Sequence, residues 1–278
     1  MNLSEQLKTG RLDDVLTDLQ RQIRAAPAEA KLRIFLSQLL VVMGQWERAL
    51  TQLRVAAELD AGAIPMARTY EAAIRCETLR EQVFAGQRGP LVFGDPEPWI
   101  ALALQALVRS GGGDHTAAAR LREDAWADAP AVSGRVDGRP FEWLCDADSR
   151  LGPLLEGIVN GKYYWIPLHR IARLAIEPPT DLRDLVWMPV HFTWTNGGEA
   201  VGLVPTRYPG SEGSDDADIR MARKTEWTEV AAGSGAFHGL GQRIFATDGD
   251  ECALMDIRTI AFDPVDLGGD AKSGAASA

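Results

Sequence analysis

Apolar residues recur every three or four positions through the first 130 residues of this chain and at every second position in short runs beyond them. The first pattern is that of helices burying one face, the second that of strands. It predicts helices near 11–25, 28–43, 46–60, 64–85, 97–109 and 115–128, with a Gly- and Pro-punctuated loop over 86–98. After Pro130 the turn signals change character. Asn160-Gly161 lies between Leu154–Val159 and Tyr163–Ile166, and Asn-Gly between apolar runs favours a type I′ hairpin. Further hairpins are expected at Asn196-Gly197-Gly198 and at Asp248-Gly249-Asp250, with a last strand over Arg258–Phe262 and short helical turns at 167–172 and 181–185.

The helical half repeats itself. Gly10-Arg11-Leu12-Asp13-Asp14-Val15 aligns with Gly44-Gln45-Trp46-Glu47-Arg48-Ala49 at a period of 34, and the same offset joins Leu19 to Leu53. Glycine at the inter-helix turn followed by a large and then a small residue is the tetratricopeptide pattern. A weaker third copy follows the Ser110–Gly113 turn. The expected fold is therefore α+β: a tetratricopeptide-like helical domain over 1–130, then a smaller β-rich domain, a bent sheet or barrel-like, over 131–264. A disordered Gly/Ala/Ser-rich tail is expected over 265–278. Gly210–Asp218 and Gly233–Gly241 read as mobile segments.

Stacked helix pairs leave a concave face that suits peptides or helices. Repeat register places Lys31, Ile34, Gln38, Val41, Arg68, Ala72 and Arg75 there, an apolar surface with a few cations that fits an amphipathic helix carrying acidic residues. Each of these positions could equally be solvated surface or inter-helix packing.

Charge narrows the partners. The net charge is −10, with 15 Lys and Arg against 17 Asp and Glu in residues 1–130 and 14 against 22 beyond. Such a surface repels nucleic acid and anionic membrane. No apolar run of about 18 residues predicts a membrane span. Three scattered cysteines (76, 145, 252) and a polar N-terminus fit a cytoplasmic protein.

Candidate chemistry is sparse. Glu142, Asp146 and Asp148 could form a carboxylate site, but Arg139 and Arg150 lie close enough in sequence to make turn caps and ion pairs the simpler reading. Arg183 with Asp184, and Arg243 with Asp256 and Arg258, read as structural ion pairs. His115, His169, His191 and His238 have no zinc-ligand spacing, and no nucleophile elbow, phosphate loop or dinucleotide fingerprint is present, so no catalytic residue, metal or cofactor is expected.

Four of the eight tryptophans fall between Phe141 and Pro209, and a set of motifs runs through and beyond that stretch. They are Asp146-Ala-Asp-Ser-Arg-Leu-Gly-Pro153, Asn160-Gly-Lys-Tyr-Tyr-Trp-Ile-Pro167, Glu177-Pro-Pro, Asp181-Leu-Arg-Asp-Leu-Val-Trp187, Arg207-Tyr-Pro-Gly210, Lys224-Thr-Glu-Trp227 and Gly239-Leu-Gly-Gln-Arg243. In this order they resemble the ImpE family, also called SciE or TagJ, of bacterial type VI secretion accessory proteins. The resemblance implies a cytoplasmic, non-enzymatic adaptor that binds the N-terminal helix of the small sheath subunit and assists the ClpV disassembly ATPase. It brings no catalytic residues with it. Two rival readings stay open: an enzyme with a site around Asp146, Asp148 and Arg183, and a repeat module with unrelated partners.

Overall fold

The structure, a computed structural model, describes residue 7, residues 11–231 and residues 234–265. Six longer helices come first among these: α1 (Leu12–Ala25), α2 (Ala30–Val42), α3 (Trp46–Leu59), α4 (Ile64–Phe84), α5 (Pro98–Gly111) and α6 (His115–Asp128). In α1 the buried residues Leu12, Val15, Leu19 and Ile23 fall on one stripe, and Asp13 and Asp14 sit in the first turn, where the helix dipole favours negative charge.

Three of the helices end in the same way. The N–H of Gln45 bonds to Leu40 O while Gly44 N bonds to Val41 O; Gln87 and Gly86 do this after α4, and Asp114 and Gly113 after α5. This is the Schellman arrangement, and each closing glycine is left-handed, with φ of +68°, +70° and +83° at Gly44, Gly86 and Gly113. The repeated glycines thus close helices α2 and α5 so that α3 and α6 can fold back against them.

A nine-stranded sheet follows, with strand order β1-β6-β5-β9-β8-β7-β14-β2-β3. Its strands are β1 (Leu91–Val92), β2 (Gly134–Val136), β3 (Arg139–Phe141), β5 (Leu154–Val159), β6 (Lys162–Pro167), β7 (Ile171–Ile176), β8 (Trp187–Trp194), β9 (Glu199–Pro205) and β14 (Thr259–Phe262). All neighbours are antiparallel except β1 with β6. Asn160 and Gly161, with φ of +51° and +72°, turn β5 into β6 as their sequence predicts. A three-stranded sheet joins β4 (Leu144–Asp146), β12 (Ile244–Thr247) and β13 (Glu251–Ala253), and a ribbon pairs β10 (Thr225–Glu229) with β11 (Phe237–Gly241).

Strand β5 is buried along its whole length, and its side chains part company by period two. Leu154 and Ile158 join the core under the helices, together with Trp165, Trp187 and Leu203. Leu155 and Val159 enter a second core with Phe192, Phe245 and Ile260. One hydrophobic core therefore runs from the helices into the sheet, and the β half is packed between that array and its own smaller sheet.

Two segments that read as mobile are ordered wherever they fall within the described residues, Gly233 lying outside them. Gly210–Asp218 holds a 3-10 turn at Ser211–Gly213 and leads into the short helix α7 (Ala217–Arg220). Its polar side chains are used locally: buried Ser211 Oγ donates to Tyr208 O at 2.6 Å and accepts from Gly241 N at 2.8 Å, and Asp216 caps Asp218 N. Within 233–241, residues 237–241 are strand β11, and Gly239 is there for closeness: a Cβ on it would lie 2.3 Å from the Tyr208 ring. Of the predicted tail, Val265 packs against the second core and the rest lies outside the described residues. No helix among the described residues is long and apolar enough to cross a membrane.

Candidate functional site

The helices are held to the sheet by a buried ionic clasp. Glu156, in the middle of β5, accepts from Arg80 of α4 at 2.6 and 3.0 Å, from Tyr163 Oη at 2.6 Å and from Arg243 Nη2. Arg243 also donates to Asp146, and Arg80 reaches Glu77 at 3.3 Å and Arg207 O at 2.7 Å. Trp187 Nε1 closes the group on Glu77 at 2.7 Å, and Tyr208 Oη on Asp146 at 2.9 Å. Arg243, Glu156, Asp146, Arg80 and Glu77 are all buried. Burial pushes both Glu156 and Asp146 upward, but two guanidinium groups hold Glu156 down at about 2. Asp146 has only Arg243 and faces Asp148, and it stays raised at about 6.

The carboxylates of the would-be catalytic site are spent in this way. Asp146 is committed to Arg243 and Tyr208, while Asp148 takes Arg150 N, Nε and Nη2 at 2.9, 2.8 and 2.5 Å and Gly239 N at 2.8 Å. Arg183 pairs with Asp181 and stacks over Tyr70, so the residues of the enzyme reading do not gather in one site. Three expected ion pairs differ as well. Arg243 bonds inward to Asp146 and Glu156, away from Asp256. Arg258 gives its guanidinium to the carbonyls of Met255 and Ile257. Asp184 caps the N–H groups of Thr180 and Asp181, both at 2.8 Å, rather than pairing with Arg183. Among the described residues no group of three or more His, Cys, Asp or Glu could hold a metal ion.

The concave face of the helices is already partly occupied. The 3-10 turn Leu182–Leu185 packs on α2, and the Arg183 guanidinium lies 4.5 Å from the centre of the Tyr70 ring. Trp187 fits between Trp46 and Tyr70 at 6.0 and 5.9 Å. Gln38 and Val41 are buried as a result: Gln38 Nε2 points to Asp181 at 3.4 Å and Val41 O accepts from Arg207. These two positions are corrected from partner surface to internal contact, because the chain's own Asp181–Trp187 segment fills the groove they line. Lys31 is exposed and Ile34 half-buried on α2, and Arg75 is exposed beside Glu71 at 3.6 Å.

Arg68 and Ala72 lie elsewhere, in an open cleft of about 670 Å³ between α4 and the sheet. Met66 and Tyr70 share its helical wall, Ile158, Pro189, Val201 and Leu203 form its floor, and Arg183 and the Asn160-Gly161 turn also line it. Val201 is 61% exposed there, unusual for a valine in the middle of a sheet. The cleft is an apolar trough with arginines at its rim. It can seat an amphipathic segment, and it offers no group poised for covalent chemistry.

A match to the model of the ImpE protein family covers residues 138–261. A curated protein of Pseudomonas aeruginosa, named type VI secretion system accessory component TagJ, is 52% identical over 266 residues, covering 96% of this chain and 92% of that one. The chain belongs to the ImpE family. A crystal structure of a protein from Vibrio parahaemolyticus, 24% identical, shares the fold with a TM-score of 0.84 over 95% of this chain and 98% of that one.

Three of the ImpE-like motifs put residues in the clasp and its supports: Asp146 and Asp148, Arg207 and Tyr208, Gly239 and Arg243. Sequence reasoning missed three of the clasp's other members. Glu156 stands alone in the apolar run Leu-Leu-Glu-Gly-Ile-Val, and Glu77 and Arg80 stand on the buried face of α4. A lone charge inside an apolar period was the available signal, since burial of one demands a partner. Val201 carried none, for its exposure depends on how the helices meet the sheet.

Proposed function

We propose that this chain is a non-enzymatic accessory adaptor of type VI secretion. In this reading it works in the cytoplasm, binds the N-terminal helix of the small sheath subunit and assists handling of the sheath by the ClpV disassembly ATPase. The observation that carries the reading is the TagJ relative, 52% identical across 96% of the chain and named as a type VI secretion accessory component. The cleft supports the mode of binding. Its apolar floor would take the apolar face of a helix, and Arg68 and Arg183 at the rim would favour acidic residues beside that face. Arg75 and Lys31 would extend the cationic surface, with Ile34 and Ala72 supplying apolar contact.

Pull-down with the small sheath subunit, with and without its N-terminal helix, tests the partner. Capture is expected only when that helix is present, and capture indifferent to it would refute the mode. Val201→Asp places a charge on an exposed position and should leave folding intact while weakening binding at least tenfold, about 1.4 kcal/mol. Full-strength binding by that variant would move the site away from the cleft.

A further inference from the structure

Among the described residues Arg122 is the side chain with two buried guanidinium nitrogens that no hydrogen bond completes. It projects from the middle of α6, is 5% exposed, and both terminal nitrogens of its guanidinium are buried without a hydrogen-bond partner among the described residues. An isolated buried cation is costly, and an arginine cannot escape the cost by giving up its proton.

The surroundings are cationic. Trp126, one turn along α6 from Arg122, shares a cleft with Ser149 and Gly152, which places this helix face on the loop 148–152. That loop is tied to β11: Ser149 N bonds to Phe237 O at 3.0 Å, Phe237 N to Ser149 Oγ at 2.8 Å, and Gly239 N to Asp148 at 2.8 Å. Between the two tied positions stands His238, whose Nε2 is also buried and without a partner among the described residues. Asp148 is the carboxylate within electrostatic reach of Arg122, yet both its oxygens are taken by Arg150 and Gly239. His115, at the start of α6, adds a second imidazole and contacts Ser110 Oγ at 3.3 Å. The charged and titratable groups within electrostatic reach of His238 are thus Arg122, Arg150 and His115, against the single committed carboxylate of Asp148.

We propose that Arg122 and His238 form a binding site for a tetrahedral oxyanion of the phosphate class, between α6 and β11. The guanidinium fork supplies two parallel donors, the geometry that phosphate oxygens accept best, and His238 Nε2 supplies a third. Burial, then the nearby Arg150, keep the imidazole ring neutral, down at about 4. A bound dianion would reverse that balance and draw a proton onto His238. The site shares no residue with the α4 cleft and stands whether or not a helix binds there.

The full chain is tested by thermal unfolding in inorganic phosphate, O-phosphoserine, or acetate, each against sodium chloride of equal ionic strength. At ten times its dissociation constant, phosphate should raise Tm by about 3–6 °C. Arg122→Met should unfold no earlier than wild type in chloride and lose the phosphate response. By proton NMR, the His238 ring should titrate at higher pH when phosphate is present. A response to O-phosphoserine also supports the site, and its strength relative to phosphate tells an anion carried on a peptide from a free one. An equal response in Arg122→Met, an equal response to acetate, or a His238 ring indifferent to phosphate would overturn the assignment. If Arg122→Met fails to fold, the His238 titration in wild type decides alone.

Discussion

Replacing Glu156 by Gln tests the clasp most directly. The substitution keeps volume and shape while removing one buried charge. In the native fold Glu156 receives Arg80 twice, Tyr163 once and Arg243 once, with no exposure to water. A glutamine oxygen can keep two of these donors, but its amide nitrogen would face guanidinium nitrogens, donor against donor. Arg80 and Arg243 would then share Glu77 and Asp146 alone. Removing one side of a buried ion pair costs about 3–5 kcal/mol, mostly through the charge left behind. For a chain of this size that corresponds to a fall in Tm of roughly 6–20 °C.

Equilibrium unfolding in urea, followed by tryptophan fluorescence, is a suitable assay because Trp165 and Trp187 bond directly to clasp members. Glu229→Gln, on the exposed strand β10, is the control and should change stability by less than about 0.5 kcal/mol. The double variant Arg80→Met with Glu156→Gln should be more stable than the two single effects predict, by at least about 1 kcal/mol. A loss below about 1 kcal/mol in Glu156→Gln alone would refute the idea that these charges hold the helices to the sheet.

Three further outcomes follow from the same network. Glu156 is depressed in the folded state, so its contribution is complete above the ordinary glutamate range and is lost as pH falls; the stability gap between wild type and Glu156→Gln should narrow from about pH 4.5 toward pH 2, read by urea midpoints across that window. Gly239→Ala would place a methyl 2.3 Å from the Tyr208 ring and push that ring off Asp146; a destabilisation of about 1–3 kcal/mol is expected in chemical denaturation. Asp184→Ala removes the caps on Thr180 and Asp181, at a cost of about 1–2 kcal/mol, and should speed amide exchange over residues 181–187 without touching α5 and α6.

The helices were legible to within three residues because their apolar stripes and terminal signals are local: Leu12, Val15 and Leu19 repeat at helical spacing, and Gly44, Gly86 and Gly113 close their helices with bonds spanning five residues or fewer. Asn160-Gly161 was legible for the same reason. What failed was long-range. Gly239 and Gly241 read as slack, yet one faces the Tyr208 ring and the other the Lys224 carbonyl, partners that no local pattern reveals. Gln38 and Val41 lie on the expected helix face, but whether that face is open depended on a turn 143 residues away in sequence from Gln38. The Arg80–Glu156 pair spans 76 residues and joins the two halves whose periods had been read separately.

The family-motif residues of the clasp do not line the cleft that could meet a partner, although other motif residues, Arg183 and the Asn160-Gly161 turn, do, and the physics says why the clasp stands apart. Asp146, Arg207, Tyr208 and Arg243 are buried and have their bonds filled from within, so a change in any of them strands another buried charge or donor. Such positions bear on stability before they bear on recognition. Arg68, Ala72 and Val201 line an open cleft, and a substitution there leaves no internal group without its partner. The clasp still matters to them, because Arg80 lies on the same helix as Arg68 and Ala72, and Glu156 on the same strand as Ile158 of the cleft floor. Holding α4 against β5 sets the width of the trough. Loosening the clasp should weaken partner binding through a widened cleft, whereas Val201→Asp should do so with stability unchanged, and that contrast separates the role of the scaffold from the role of the surface.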